Sequence, residues 1–242
     1  MMKRRVNRGI ILAAGDGGRL GSLTYACPKV LLAGYDQRPL ITYPIEALAA
    51  SGIREIAIVV GYLGGAVIEA LGTGKRFGVR FHYIHNADYT GGNAISAYKA
   101  REWAQGAPVV LCMGDHLIEA RLIRRLLDNG TGNDTLCVDY TPAWYHQVDE
   151  ATKVMVDVTG CIQRIGKELI YWDALDTGVF LLTENFFQGV AELIRYRGTD
   201  IEMADVIRFL ISQGHKFYTC DVSGCSWQDV DTEDDLNLAR SR

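Results

Sequence analysis

The residues best suited to chemistry stand near the start of the chain: Leu12-Ala13-Ala14-Gly15-Asp16-Gly17-Gly18-Arg19-Leu20, with Pro28-Lys29 soon after. Glycines that follow a strand let backbone N–H groups approach an anion, because they lack a Cβ and accept unusual φ/ψ. The spacing is not the dinucleotide pattern G-x-G-x-x-G, since Leu20 takes the third glycine's place. Nor is it a P-loop, since no Gly-Lys-Ser/Thr closes it. What the segment adds is two cations, Arg19 and Lys29. A triphosphate that loses pyrophosphate develops negative charge on its leaving oxygens and around the attacked phosphorus, and two preset cations there would stabilise that charge.

Acids complement these cations further along. Gly114-Asp115-His116 follows the apolar run 109–113, which puts Asp115 at the carboxyl end of a strand, where open α/β sheets bind ligands. Trp227-Gln228-Asp229-Val230-Asp231-Thr232 offers two acids at alternate positions ahead of a last helical pattern. Mg²⁺ takes one or two protein carboxylates and completes its octahedron with phosphate oxygens and water, so Asp115 with Asp229 or Asp231 would suffice. Taken alone, Asp231 or Thr232 serves equally well as a helix N-cap. Thr90-Gly91-Gly92-Asn93-Ala94-Ile95-Ser96 presents N–H groups and an amide suited to the edge of a base, although Asn93 equally suits a cap. Glu150-Ala151-Thr152-Lys153, Gly166-Lys167 and Asp176-Thr177-Gly178 add lysines suited to an acceptor phosphate and acids suited to hydroxyls. They read equally as ordinary charges at strand ends.

These groups need a scaffold that gathers them. Short β-branched runs at 9–14, 55–60, 79–85 and 109–113 alternate with helical patterns at 39–50, 63–71 and 93–103, which implies βαβ units and a mostly parallel sheet. A helix at 119–127 and a strand at 135–140 follow, and then a polar, aromatic stretch at 141–151 expected to roof the site. Strands at 153–158 and 161–165, joined by Thr159-Gly160, read as a hairpin, and 176–182 as a further strand. Helices at 185–196 and 201–213, a strand at 216–221 and a helix at 232–240 complete the pattern. No linker interrupts it, so one domain over 1–242 is expected.

Composition narrows the class. With 48% hydrophobic and 22% charged residues the chain reads as an ordinary water-soluble globular protein. A net charge of −4 argues against nonspecific nucleic-acid binding. The charge-free apolar stretch 56–68, interrupted by three glycines, is too short to span a membrane. The basic residues before Ile10 imitate a signal peptide, but the apolar run after them is too short and Asp16 follows at once. The six cysteines contain no C-x-x-C, which suggests a reducing cytoplasm and no cysteine metal site.

Together these motifs resemble the sugar-nucleotidyltransferase superfamily, whose members carry L-A-A-G-x-G-x-R-L, then P-K, then G-D at the end of a central strand. Within it the chain is most similar to the inositol-1-phosphate cytidylyltransferases, on Met113-Gly114-Asp115-His116, Glu150-Ala151-Thr152-Lys153, Ile165-Gly166-Lys167-Glu168-Leu169, Asp176-Thr177-Gly178 and Asp229-Val230-Asp231-Thr232-Glu233-Asp234. The resemblance implies an α/β, Rossmann-like (GT-A-like) fold with a mixed, mostly parallel central sheet flanked by helices. It also implies the reaction of CTP with inositol 1-phosphate to give CDP-inositol and pyrophosphate. Ala13, Ala14, Gly15, Gly17 and Gly18 would bind the nucleotide, with Arg19 and Lys29 as the catalytic cations and Asn93 and Ser96 near the cytosine. Asp115, Asp229 and Asp231 would hold Mg²⁺, and Lys153, Lys167 and Asp176 would bind the phosphorylated alcohol. The acceptor's phosphate oxygen is already anionic, so no general base is assigned. Some members are fused to a membrane-embedded synthase; here such a partner is expected to be separate. The oligomeric state is left open, a homodimer included.

Other readings use the same residues. Phosphocholine would call for an aromatic cage, for which Trp144, Tyr145, Tyr171 and Trp172 are candidates. A phosphonate or a sugar 1-phosphate would need only the phosphate contacts. A nucleotide-sensing protein without turnover has no use for cations and acids converging on one phosphate, and a NAD-dependent dehydrogenase fails on Leu20.

Overall fold

The computed structural model describes residues 6–129, 132–143, 148 and 150–241. The chain runs β1 (Arg8–Ala13), α1 (Thr42–Ala50), β2 (Glu55–Val60), α2 (Gly64–Leu71), β3 (Arg80–His85), α3 (Asn93–Lys99), α4 (Arg101–Ala104), β4 (Val109–Met113), β5 (Leu117–Ile118), α5 (Ala120–Asn129) and β6 (Thr135–Asp139). It continues with β7 (Lys153–Val156), β8 (Ile162–Gly166), β9 (Ala174–Leu182), α6 (Glu184–Arg197), α7 (Met203–Ser212), β10 (Tyr218–Asp221), β11 (Trp227–Gln228) and α8 (Glu233–Arg240).

The main sheet has the order β10-β6-β9-β4-β1-β2-β3. β4, β1, β2 and β3 are mutually parallel, and β9 is inserted antiparallel between β4 and β6. This is the mixed, mostly parallel α/β sheet that the sequence pattern implies. Side chains alternate across a strand, so a strand covered on both faces must be apolar at every position. β1 shows this: Ile10 and Leu12 enter the core under α3, α6 and α7, while Ile11 and Ala13 enter the opposite core under α1 and α5.

A third, smaller cluster decides where the chemistry sits. Leu20, Leu32 and Leu40 from the segment after β1 pack with Leu117, Val230, Leu236 and Ala239. Leu20 and Val230 are both fully buried. Val230 lies between Asp229 and Asp231, so burying it turns the two acids outward together. Leu20 does the same for its neighbour Arg19. Two segments about 200 residues apart in sequence are thereby pinned side by side.

This gives a first expectation. Val230→Ala should cost roughly 2 kcal/mol, from lost apolar burial and a residual cavity. It should also slow turnover several-fold at a temperature where both proteins are folded. Val138→Ala, an equal truncation in the sheet core, should lower the melting temperature comparably and leave turnover unchanged. Equal kinetic effects from the two substitutions would refute the special role of the small cluster.

Local chemistry accounts for the departures from the sequence pattern. The helix expected at 93–103 is split, because the Ala100 N–H tightens onto the Ala97 carbonyl at 3.1 Å instead of continuing the α-helical ladder. The hairpin strand stops at Val156, because the Asp157 carboxylate captures the Thr159 and Cys161 N–H groups at 2.7 and 3.0 Å. Val158 is left fully exposed. The two-residue pair β5–β11 is too short to leave a periodic trace. No helix among the described residues is long and apolar enough to cross a membrane.

Candidate active site

Ala13, Ala14, Gly15, Gly17, Gly18, Arg19, Lys29, Asn93, Ser96, Asp115, Lys167, Asp176, Asp229 and Asp231 all line one cleft of about 920 Å³ at the carboxyl ends of β1 and β4. Gly17 makes its floor possible. Its φ of +69° lies in the left-handed region, and a Cβ there would stand 2.9 Å from the Cβ of Lys29. Gly114 allows Asp115 to follow β4 closely, since a Cβ would come within 2.6 Å of the Leu12 carbonyl oxygen.

Lys29 is the hub. Its ammonium lies 2.7 Å from Asp115 Oδ2 and 2.5 Å from Asp231 Oδ1, with only 9% of the side chain exposed. Burial alone would lower its pKa, but the two carboxylates outweigh burial and raise it, so the charge is permanent at neutral pH. Reciprocally, burial alone would raise the Asp115 pKa. Lys29 and the hydrogen bond from His116 outweigh that and hold the carboxylate far below its ordinary range. His116 Nδ1 is 2.8 Å from Asp115 Oδ1. Burial would lower the His116 pKa, and Asp115, Asp229 and Asp231 together raise it instead.

Arg19 is held differently. Its guanidinium donates to Asp231 Oδ2 at 2.5 Å and to Glu150 Oε2 at 3.3 Å, with 53% of the side chain exposed. An exposed ion pair is worth at most about 1 kcal/mol, whereas breaking a buried one costs about 3–5. Arg19 is therefore the more weakly anchored of the two cations, and Lys29 the more firmly fixed.

Asp229 and Asp176 are the high-energy carboxylates. Burial raises the Asp229 pKa, against the attraction of His116 and with the help of repulsion from Asp231 and Asp115. Burial pushes Asp176 up to about 6, although its Oδ1 accepts the Gly178 N–H at 2.7 Å. Among the described residues, ten carboxylates and four Lys or Arg side chains line the cleft. A triphosphate entering so acidic a cleft needs a multivalent cation beside it. Asp115 and Asp229 supply hard oxygen donors of the kind Mg²⁺ prefers. Among the described residues, no three His, Cys, Asp or Glu side chains are grouped so as to hold a metal ion, so Asp115, Asp229 and Asp231 do not form the three-carboxylate set that the resemblance implies.

The structure resolves both capping alternatives. Thr232 caps α8, accepting the Asp235 N–H at 3.2 Å while Asp235 Oδ2 accepts the Thr232 N–H at 2.8 Å, so Asp231 stays with the cations. Asn93 makes no cap bond to its own helix; its Oδ1 accepts the Met203 N–H at 2.7 Å in the first turn of α7, whose N-cap is Glu202, so its amide oxygen is engaged. Ser96 is held from below by Asn86 Nδ2 at 3.0 Å.

Lys153 is the one expected site residue that does not line the cleft. It is buried behind the wall, and its ammonium donates to the Lys167 carbonyl at 2.8 Å. Tyr171 and Trp172 lie in a separate shallow hollow, and Trp144 and Tyr145 fall outside the described residues. Of the stretch expected to roof the site, Glu150 and Ala151 line the cleft. Sequence reasoning missed Glu202, Asp205 and Arg208, which also line it. Their three-residue spacing, from the N-cap of α7 into the helix, was the available signal, and an amphipathic helix produces the same spacing without any site.

The fold and this cleft together define an α/β enzyme that transfers nucleotidyl groups. Residues 8–152 match the family model described as Nucleotidyl transferase, and the chain belongs to that family. A curated relative, the "Bifunctional IPC transferase and DIPP synthase" of Rubrobacter xylanophilus, is 33% identical over 230 residues, which cover 95% of this chain and 50% of the relative. The chain thus spans about half the length of that relative. A glucose-1-phosphate thymidylyltransferase from an Actinoplanes species is 38% identical over 112 residues, 46% of this chain and 36% of the relative. Among solved structures, the inositol-1-phosphate CTP transferase from T. maritima superposes with a TM-score of 0.84 at 26% identity, covering 98% of this chain and 95% of that one.

Proposed function

We propose that this nucleotidyltransferase moves a cytidylyl group from CTP to inositol 1-phosphate, giving CDP-inositol and pyrophosphate. The observation that carries the reading is the convergence of Lys29 and Arg19 with Asp115, Asp229 and Asp231 in one cleft. Similarity to the inositol-1-phosphate CTP transferase supports the choice of substrates.

In this reading a phosphate oxygen of the acceptor attacks the α-phosphorus in line. The bond from that phosphorus to the bridging oxygen breaks, and pyrophosphate leaves with the electron pair. The attacking oxygen is already anionic, so alignment and charge stabilisation suffice. Lys29, preset and dry, faces the reacting phosphorus, and Arg19 swings from Asp231 and Glu150 onto the leaving phosphates. Backbone N–H groups of Gly15 to Gly18 cradle the triphosphate, and Asn93 and Ser96 border the base. Lys167 and Asp176 receive the phosphorylated alcohol, and Lys153 supports Lys167 from behind. Mg²⁺ held by Asp115 and Asp229, with Asp231 beside them, would draw charge from the phosphate oxygens.

The test is pyrophosphate release from CTP, UTP, GTP and ATP, each crossed with inositol 1-phosphate, phosphocholine, a phosphonate and glucose 1-phosphate. The expected maximum is CTP with inositol 1-phosphate. Equal turnover of another acceptor would refute the substrate assignment while leaving the enzyme class untouched. Chelation with EDTA should remove at least about 99% of the rate and added Mg²⁺ should restore it, as for phosphoryl transfer in general. Undiminished release in EDTA would exclude the metal role.

The partial match to a thymidylyltransferase favours a sugar 1-phosphate as the second reading. The same matrix decides between them, because that reading places the maximum at glucose 1-phosphate.

A further inference from the structure

Arg208 stands on α7 where that helix meets the end of β8. Its Nη1 donates to the Ile165 carbonyl at 2.8 Å and its Nη2 donates to Asp205 Oδ1 at 2.8 Å. Asp205 is itself fixed, accepting from Arg197 at 2.9 Å and, through its other oxygen, from the Glu202 N–H at 2.9 Å. A guanidinium has five N–H donors in a rigid fork. These two anchors fix its plane and leave three donors, on a side chain that lines the cleft and is 45% exposed.

Position and charge say what the remaining donors meet. Of the four Lys and Arg side chains lining the cleft among the described residues, Arg19 and Lys29 are drawn to Asp231 on the nucleotide side. The other two, Lys167 and Arg208, come from the end of β8 and from α7, two elements that Arg208 joins through the Ile165 carbonyl. The backbone between them is clamped from two sides, by Arg208 on the Ile165 carbonyl and by Lys153 on the Lys167 carbonyl. An otherwise acidic cleft repels a phosphate monoester, which carries close to two negative charges at neutral pH. Glu168, Glu202 and Asp205 also line the cleft, but Asp205 is already engaged by Arg197 and Arg208 and Glu202 accepts the Asn93 N–H at 3.3 Å. What this wall offers such a group is therefore the remaining planar donors of Arg208 near the ammonium of Lys167.

We propose that Arg208 is a specificity-determining residue that binds the phosphate of the acceptor together with Lys167. The assignment rests on the nucleotidyl transfer proposed above, but it makes a binding claim that can be measured without turnover. Calorimetric titration of the full chain with inositol 1-phosphate, and separately with CTP, should show Arg208→Gln weakening the first at least tenfold and the second less than twofold. In turnover, the KM for the acceptor should rise tenfold or more while kcat stays within about threefold. Arg208→Lys keeps a donor for the Ile165 carbonyl, so it should melt like the parent and recover part of the affinity but not all of it.

Unchanged affinity for inositol 1-phosphate in Arg208→Gln would overturn the proposal. So would a matched loss for both ligands, since that marks a residue that only holds the wall together. If no nucleotide and acceptor pair turns over, yet Arg208→Gln still loses affinity for inositol 1-phosphate alone, the assigned reaction fails and the phosphate site stands.

Discussion

Replacing Lys29 with Met should abolish pyrophosphate release, by a factor of about 10³ or more, while the chain still folds. One preorganised charge at a transition state is worth roughly 3–4 kcal/mol, which corresponds to 10²–10³ in rate. In the proposed reaction Lys29 faces the phosphorus, and in the structure it also fixes Asp115 and Asp231, so its removal should cost more than one such contact. Met fills the same volume without charge, but it leaves two carboxylates facing each other in a cleft already rich in acids. Losing one partner of a buried pair costs about 3–5 kcal/mol, so the variant should also melt several degrees lower. Stopped turnover with intact far-UV circular dichroism is the expected result. Retention of a tenth of the parent rate would remove Lys29 from the chemistry.

Asp176→Asn should act in opposite directions on stability and activity. The Asp176 pKa is pushed up to about 6 by burial, so in the unliganded protein its charge opposes folding. For a carboxylate whose folded pKa exceeds its unfolded value, the folded state binds the proton more tightly. The relative stability it gives is full below about pH 4 and is lost as the pH rises through about 6. At pH 7 the difference of about two pKa units corresponds to roughly 3 kcal/mol at most, since one unit is about 1.4 kcal/mol. Asn keeps an acceptor for the Gly178 N–H and removes the charge. The variant should therefore melt several degrees higher than the parent at pH 7 and level with it at pH 4, while the KM for the acceptor rises at least tenfold. Equal melting temperatures at pH 7 would contradict the claim that this carboxylate is held at a cost.

Much of this was legible in the sequence. The β1 run, the glycine loop and Gly114-Asp115 carry their positions with them, because a strand followed by a turn leaves its next residues at the strand's carboxyl end. The pairing of Lys29 with Asp231 was less accessible. Nothing local joins positions so distant, and the link is made by Leu20 and Val230, each an unremarkable apolar residue until both are seen in one cluster. Lys153 was misleading for a related reason. Its type suits an anion, but a lysine at the first position of β7 points to whichever face the register selects, and here that face holds the Lys167 carbonyl. Arg208 was invisible because a cation on the polar side of an amphipathic helix is ordinary, and only the fold shows which helix borders the cleft.

The small cluster built from two segments distant in sequence also sets an order of events during synthesis. The sheet strands and the glycine loop emerge from the ribosome well before 229–231, so a nascent chain can shape the nucleotide floor long before it owns the acids that complete the centre. In the proposed reaction the acids at 229 and 231 join the cations only once Val230 has packed against Leu20, so assembly of the centre waits for a contact between segments far apart in sequence.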